Sequence, residues 1–119
     1  MKQLRIFGIA FKLMYKVIIT KPAEDDLLSA INYIDEEIKN PIAAQRLLGK
    51  FEKIIGTLAS MPLRHELVPD DYLRQLGIRS IPIDNYLAFY IARVEEETVI
   101  VVRILYARRD WQNILNKKQ

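Results

Sequence analysis

Apolar and polar positions follow two different periods along this chain. Val17-Ile18-Ile19, between Tyr15-Lys16 and Thr20, is a β-branched run that predicts a strand. Pro22 follows Thr20, and Glu24, Asp25 and Asp26 come directly behind it. Proline in a first turn and acids at the positive end of a helix dipole mark a helix start. Leu27, Ile31, Ile34 and Ile38 then recur at spacings of four, three and four, which places them on one helical stripe. Asn40-Pro41 interrupts the stripe, because proline disfavours the helical conformation at the residue before it. A second stripe, Ala44, Leu47, Leu48, Phe51, Ile54, Ile55 and Leu58, runs up to Met61-Pro62. So short a connection between two amphipathic helices predicts an antiparallel helix hairpin.

From Leu63 to Gly77 the pattern is polar and irregular, which predicts a loop with a brief turn of helix. Three extended segments follow. Ile78 to Ile83 contains Pro82, which lacks an amide donor and so suits an edge or a bulge. Tyr86 to Arg93 is rich in aromatics, Glu95-Glu96-Glu97 forms a charged connection, and Thr98 to Tyr106 is dense in β-branched residues. The expected fold is α+β: an N-terminal strand, an antiparallel helix hairpin, a three-stranded antiparallel sheet and a short C-terminal helix. All four strands should form one largely antiparallel sheet with the helix pair on one face. Val99, Val101 and Leu105 alternate with Ile100, Val102 and Ile104, so both faces of the last strand are apolar and both need cover. The helices cover one face, the segment Asp110 to Leu115 covers part of the other, and a binding partner is the expected cover for the rest.

The 119 residues suffice for one compact domain. With no cysteine there is no disulfide, thiolate nucleophile or thiolate zinc site, and the single His65 cannot supply a two-histidine ligand set, so no metal is expected. Only four glycines are present and none builds a phosphate-cradling loop, so no cofactor is expected either. No apolar run approaches the roughly 20 residues of a membrane span, which makes a soluble, cytoplasmic protein the expectation. The apolar stretch Ile6 to Phe11 is short and is followed by Lys12, a poor signal peptide. Met14 directly precedes the first strand and is a candidate translation start, so residues 1–13 are read as a doubtful N-terminal extension, native or not, and 14–119 as a single domain.

Charge is unevenly spread. The net charge is +3, yet Arg103, Arg108, Arg109, Lys117 and Lys118 at the end of the chain face Asp110 alone, while the body between is acidic. A basic end on an acidic body suits a surface that meets something anionic, nucleic acid or an acidic protein.

The closing stretches carry a resemblance. Gly77-Ile78-Arg79, then Asn85-Tyr86-Leu87-Ala88-Phe89-Tyr90, then Val102-Arg103-Ile104-Leu105-Tyr106-Ala107-Arg108-Arg109-Asp110-Trp111 stand in the order and spacing of RelE/ParE family toxins of bacterial type II toxin-antitoxin systems, also labelled plasmid stabilisation proteins. The opening strand followed by Pro22-Ala23-Glu24-Asp25-Asp26-Leu27 is similar too, and the resemblance spans about residues 14 to 115. It implies the RelE/ParE-like toxin fold and growth inhibition neutralised by a cognate antitoxin, in a toxin-antitoxin hetero-oligomer. Two targets remain open: ParE-like members bind DNA gyrase, whereas RelE-like members are ribosome-dependent endonucleases that cut mRNA.

Cleaving RNA through its 2′-hydroxyl needs a base, cationic donors for the phosphorane and an acid for the leaving oxygen. The nucleases resemble one another in an arginine after the tyrosine that opens the second of the final strands; here Leu87 follows Tyr86. The segment before it offers only Arg79, His65 lies in the loop, and arginine is a poor general base. The pattern is closer to the ParE-like branch, a gyrase inhibitor, with an mRNA endonuclease on the ribosome as the alternative; no residue is given a catalytic role. Arg108 and Arg109 are the first candidates for a toxic surface, with Arg79, Arg103 and Tyr106 behind them. Tyr106 stands where many such members have a histidine. Arg103 interrupts an apolar strand, which predicts either an ion pair or a functional cation. Tyr86, Phe89, Tyr90 and Trp111 are candidate antitoxin contacts, although a core explains those aromatics equally well. Asp110 is expected to cap the closing helix.

Overall fold

The computed structural model describes residues 14–116 with their side chains and, before them, the backbone of two short strands, β1 (Gln3–Ile6) and β2 (Ile9–Lys12). The reading of residues 1–13 as an extension, and the basic pair Lys117 and Lys118, lie outside the residues described with side chains.

β3 (Lys16–Ile19) leads into α1 (Lys21–Asn32), whose first turn is capped by Thr20, its Oγ1 accepting from the Ala23 amide at 3.3 Å. α1 does not continue as an α-helix through the predicted stripe. Tyr33–Glu37 forms a π-helical turn, closed by the Ile38 amide donating to the Tyr33 carbonyl at 3.1 Å. The extra residue in that turn rotates the following positions: Ile34 stays against the core, but Ile38 is 54% exposed, contrary to its place in the sequence stripe. Asn40 caps α2 (Pro41–Thr57) by accepting from the Ala43 amide at 3.0 Å. Leu47, Phe51 and Ile55 of α2 are buried as the second stripe predicts, while Leu48 sits at its edge and is partly exposed.

The remaining elements are α3 (Asp71–Gln75), β4 (Ile78–Ile83), β5 (Tyr86–Arg93), β6 (Thr98–Tyr106) and α4 (Trp111–Asn116). The sheet order is β3-β6-β5-β4. β4, β5 and β6 are antiparallel neighbours, but β3 joins β6 in parallel, with Lys16 opposite Thr98 and Ile19 opposite Val101. The helix hairpin carries the chain away from β3 and lets it re-enter on the far side of the sheet, which leaves the first strand pointing the same way as the last. Gly77, at φ 80°, makes the turn from α3 into β4, a left-handed conformation that favours glycine.

The helix pair packs one face of the sheet, burying Phe51, Ile55, Ile81, Ile83, Ala88, Tyr90, Val99 and Val101 in one cluster. The other face is a smaller cluster of Val68, Leu73, Ile78, Phe89 and Leu105. On this face, while Leu87, Ile91 and Val102 stay only partly buried, the polar loop before β4 supplies cover that the sequence pattern did not show. Val68 and Leu73 reach down from it, and Trp111, Ile114 and Leu115 of α4 pack beside them. The loop is tied down by the Val68 amide donating to the Ile78 carbonyl (2.9 Å) and by the buried Tyr90 hydroxyl donating to the Pro62 carbonyl (2.8 Å). Asp70 caps α3 through the Leu73 amide at 3.0 Å and accepts from Asn116 Nδ2 at 3.3 Å, which joins α3 to α4. Among the described residues no helix is long and apolar enough to cross a membrane.

Candidate functional site

The site is built where the sheet runs out of partners. β3 stops at Ile19, so β6 beyond Val101 has a free edge whose backbone groups still need hydrogen bonds. Thr20 satisfies two of them, its amide donating to the Val101 carbonyl and its hydroxyl to the Val102 carbonyl, each at 3.1 Å. Asp26, one turn and a half into α1, takes over from there: its Oδ2 accepts from the Ile104 amide at 3.0 Å.

A bulge lies at the same place. Phe89 pairs with Arg103 and Tyr90 with Val101, so Val102 is the extra residue in β6 and the alternation slips by one. Arg103 meets the carboxylate already waiting at the edge: Nε donates to Asp26 Oδ2 at 2.7 Å and Nη2 to Oδ1 at 2.9 Å. The side chains are only 18% and 13% exposed. The Asp26 hydrogen bond raises the Arg103 pKa above its ordinary value, with burial opposing. Of the two alternatives for Arg103, the structure has the ion pair.

Beyond this lock, β5 begins and β6 ends together. Tyr86 and Tyr106 lie opposite each other with rings 5.7 Å apart at 72°, an edge-to-face contact. They share a groove of roughly 420 Å³ with Asp26, Ser29 and Tyr33 of the α1 side and with Arg109. Burial, then the neighbouring Tyr106 and Tyr33 hydroxyls, push the Tyr86 pKa up. Tyr33 was not singled out from the sequence, where it stands between two stripe positions as one more polar-face residue. A smaller groove of roughly 250 Å³ on the other side of Tyr86 is lined by Arg46, Lys50 and Asp84.

The turn after β6 is pinned by the Ala107 amide donating to the Asn85 carbonyl at 2.8 Å and the Arg109 amide to the Tyr106 carbonyl at 2.9 Å. Asp110 then caps α4, its Oδ1 accepting from the Asn113 amide at 3.3 Å. Arg108 and Arg109 are exposed, and among the described residues neither forms an ion pair with a carboxylate.

The other candidates are distributed differently. Arg79 Nη1 donates to the His65 carbonyl at 2.6 Å, holding the loop over the sheet. Phe89 and Tyr90 are 0% exposed, so as candidate antitoxin contacts they need correcting: alternation along β5 puts these adjacent residues on opposite faces of the sheet, and both are core. Trp111 is half-buried with its ring 5.2 Å from that of Phe89, and Tyr86 keeps only part of its surface. His65 lies in the loop that Arg79 holds by its backbone, not in the tyrosine groove; its Nε2 is buried without a hydrogen-bond partner, and burial followed by Arg64 lowers its pKa. Among the described residues, no three carboxylate, histidine or cysteine side chains come together as a metal would require.

Residues 17–111 match the family described as the ParE toxin of the type II toxin-antitoxin system, parDE. The chain belongs to this family. Its fold is similar to that in the chromosomal ParDE toxin-antitoxin system from P. aeruginosa, with a TM-score of 0.63 and 15% identity over 80% of this chain and 98% of that one. It is also similar to the toxin-antitoxin complex RelBE2 from Mycobacterium tuberculosis, with a TM-score of 0.56 and 22% identity over 79% of this chain and 99% of that one. At such identities the likeness is one of fold. No curated protein sequence matches the chain. Within the ParE toxin span, the strand-edge lock at Asp26–Arg103 and the arginine turn both fall inside the matched residues.

Proposed function

We propose that this ParE-family toxin acts by binding, through the Arg108-Arg109 turn and the adjoining tyrosine groove, and that its target is DNA gyrase. A cognate antitoxin neutralises it by covering the same surface. The observation that supports this reading is the chemistry of the groups gathered there. Arg109 lines the groove with Tyr33, Tyr86 and Tyr106, and Arg108 precedes it in the turn. Both are exposed, among the described residues neither has a carboxylate partner, and the one imidazole of the chain lies elsewhere. Guanidiniums stay protonated and offer planar, paired donors to carboxylate or phosphate. A tyrosine held above its ordinary pKa is a weak base near neutrality. Such a set recognises an anionic surface well and transfers protons badly. Leu87 supplies no cation beside Tyr86, and Arg103 is held by Asp26 rather than offered to a phosphorane. The match to the ParE toxin family supports gyrase as the proposed target, and the two toxin-antitoxin systems of similar fold support an antitoxin partner.

The test is a supercoiling assay with purified gyrase, run beside ribosome-bound mRNA whose products are end-mapped. Inhibited supercoiling with intact RNA is the expected result. Codon-positioned cuts with normal supercoiling would replace the proposal with the ribosome-dependent endonuclease. The variant R108A/R109A should lose at least tenfold in inhibitory potency, the loss of about 1.4 kcal/mol or more that removing charge-assisted contacts brings. Unchanged potency in a folded variant would remove the turn from the toxic surface.

A further inference from the structure

Ahead of the basic end of the chain lies a body whose acids outnumber its bases, and α2 is the exception within it. Its 17 residues hold Arg46, Lys50 and Lys53 against one acid, Glu52. At 3.6 residues per turn the cations fall within a sector of about 60°, and Glu52 lies about 100° or more round the helix from each of them. Ala44, Leu47, Phe51 and Ile55 take the buried side, which leaves all three cations exposed. The helical rise spreads them over ~10 Å. Lys50 Nζ lies 2.9 Å from Asp84 Oδ1, whereas among the described residues Arg46 and Lys53 form no ion pair with a carboxylate.

Gly49 lies between Arg46 and Lys53 along the axis, on their flank. A glycine inside a helix weakens it relative to alanine, yet a Cβ added here would meet nothing within 4 Å. Crowding within the protein therefore does not require the glycine. What its missing side chain provides is clearance for something outside to approach the helix closely among the cations.

We infer that this face of α2 binds the phosphate backbone of duplex DNA. The Arg46 guanidinium offers paired planar donors to a phosphate, Lys50 and Lys53 supply point charges beside it, and Gly49 lets the sugar-phosphate chain come near. The choice among anions comes from what surrounds the cations. A single strand is held by stacking its bases on aromatic rings, and the one aromatic residue of α2, Phe51, is buried. An acidic helix seats apolar anchors in a groove. The exposed large apolar residues of α2 do not build one here, because Leu48 lies on the opposite side of the helix and Ile42 a turn before Arg46. A duplex needs neither feature, since it presents a dense row of phosphates to which exposed cations suffice. Arg46 and Lys50 also line the groove beside Tyr86, and Tyr86 lines the next groove with Arg109, so the stripe adjoins the proposed toxic surface. The inference stands on α2 and is tested without gyrase, so either proposal can fail alone.

The experiment is fluorescence anisotropy of a labelled duplex of about 20 base pairs, titrated with the full-length chain over a series of NaCl concentrations. The parent should bind, and R46A/K53A should bind about tenfold more weakly with a log–log salt slope reduced by about 1.8, since each phosphate contact contributes about 0.9. Both side chains are exposed and alanine is the better helix former, so the circular dichroism of this variant should match the parent. G49E places a carboxylate in open space beside the cations and should weaken binding by a similar factor. No binding by the parent, or unchanged affinity and slope in R46A/K53A, would overturn the inference. A loss confined to R108A/R109A would overturn it too, by placing the DNA at the turn. Tighter binding of the unpaired strand or of polyglutamate than of the duplex would replace the occupant with a single strand or an acidic protein.

Discussion

Arg103 and Arg109 lie six residues apart in the most basic part of the chain, and the two could hardly be used more differently. Arg103 falls one residue after a bulge, on the stretch of β6 that β3 no longer pairs, and closes a two-point ion pair with Asp26 under the first helix. Arg109 falls beyond the end of the strand, where the backbone turns to cap α4, and keeps its guanidinium in solvent at the rim of a tyrosine groove. Residue type is the same; strand register decides which arginine stabilises the fold and which is left for a partner.

The sharpest way to break this comparison is to remove the carboxylate. In D26A the Arg103 guanidinium is left largely buried without its counter-charge, and the Ile104 amide loses its acceptor. Breaking one partner of a buried pair is costly, so urea unfolding should show a loss of about 3 kcal/mol. The double variant D26L/R103M replaces both charges with apolar groups and should recover most of that loss. A D26A variant within about 0.5 kcal/mol of the parent would mean that the pair merely accompanies the bulge.

A smaller effect belongs to His65, whose Nε2 is buried without a hydrogen-bond partner and whose imidazole feels the charge of Arg64. Burial holds the folded imidazole below its ordinary value of 6.5. As pH falls through that value the unfolded chain takes up the proton first, so the unfolded state gains. Stability should be fully present above about pH 6.5 and decline below it. H65Q should flatten that decline, measured as unfolding midpoint against pH from 7.5 to 4.5. An equally steep profile in H65Q would take the acid sensitivity away from His65.

These contrasts also show how far the sequence could be read. The helix hairpin was legible because Leu47, Phe51 and Ile55 repeat at a local period, and the arginine turn because Arg108 and Arg109 are adjacent and end a β-branched run. What was hidden depends on geometry between distant residues. Asp26 looked like an acid complementing a helix dipole, and nothing near it in sequence shows that its carboxylate ends a sheet edge 77 residues away. Ile38 fits the first helical stripe, and one π-helical turn removes it. The polar loop before β4 concealed Val68 and Leu73, two fully buried cover residues embedded among charges, so the second face of the sheet looked open. Phe89 and Tyr90 were candidates for one partner, but strand alternation puts them on opposite faces and each is covered by its own core.

The smallest effects complete the series. R108A/R109A should unfold within about 0.5 kcal/mol of the parent, since neither guanidinium holds a carboxylate. Lys50 provides the intermediate case: its Nζ lies 2.9 Å from Asp84 Oδ1, the same separation as Arg103 Nη2 from Asp26 Oδ1. Distance alone would rank the two pairs together. The Lys50 and Asp84 side chains are 48% and 44% exposed, however, so water and salt screen an attraction that the Asp26 site preserves. K50A should therefore cost about 0.3 kcal/mol at low salt, and the difference should vanish near 1 M NaCl, whereas the D26A loss should persist there. If K50A proved as costly as D26A, burial would not be what separates the cations of this sheet edge, and the free state of Arg108 and Arg109 would lose its meaning as a sign of a binding surface.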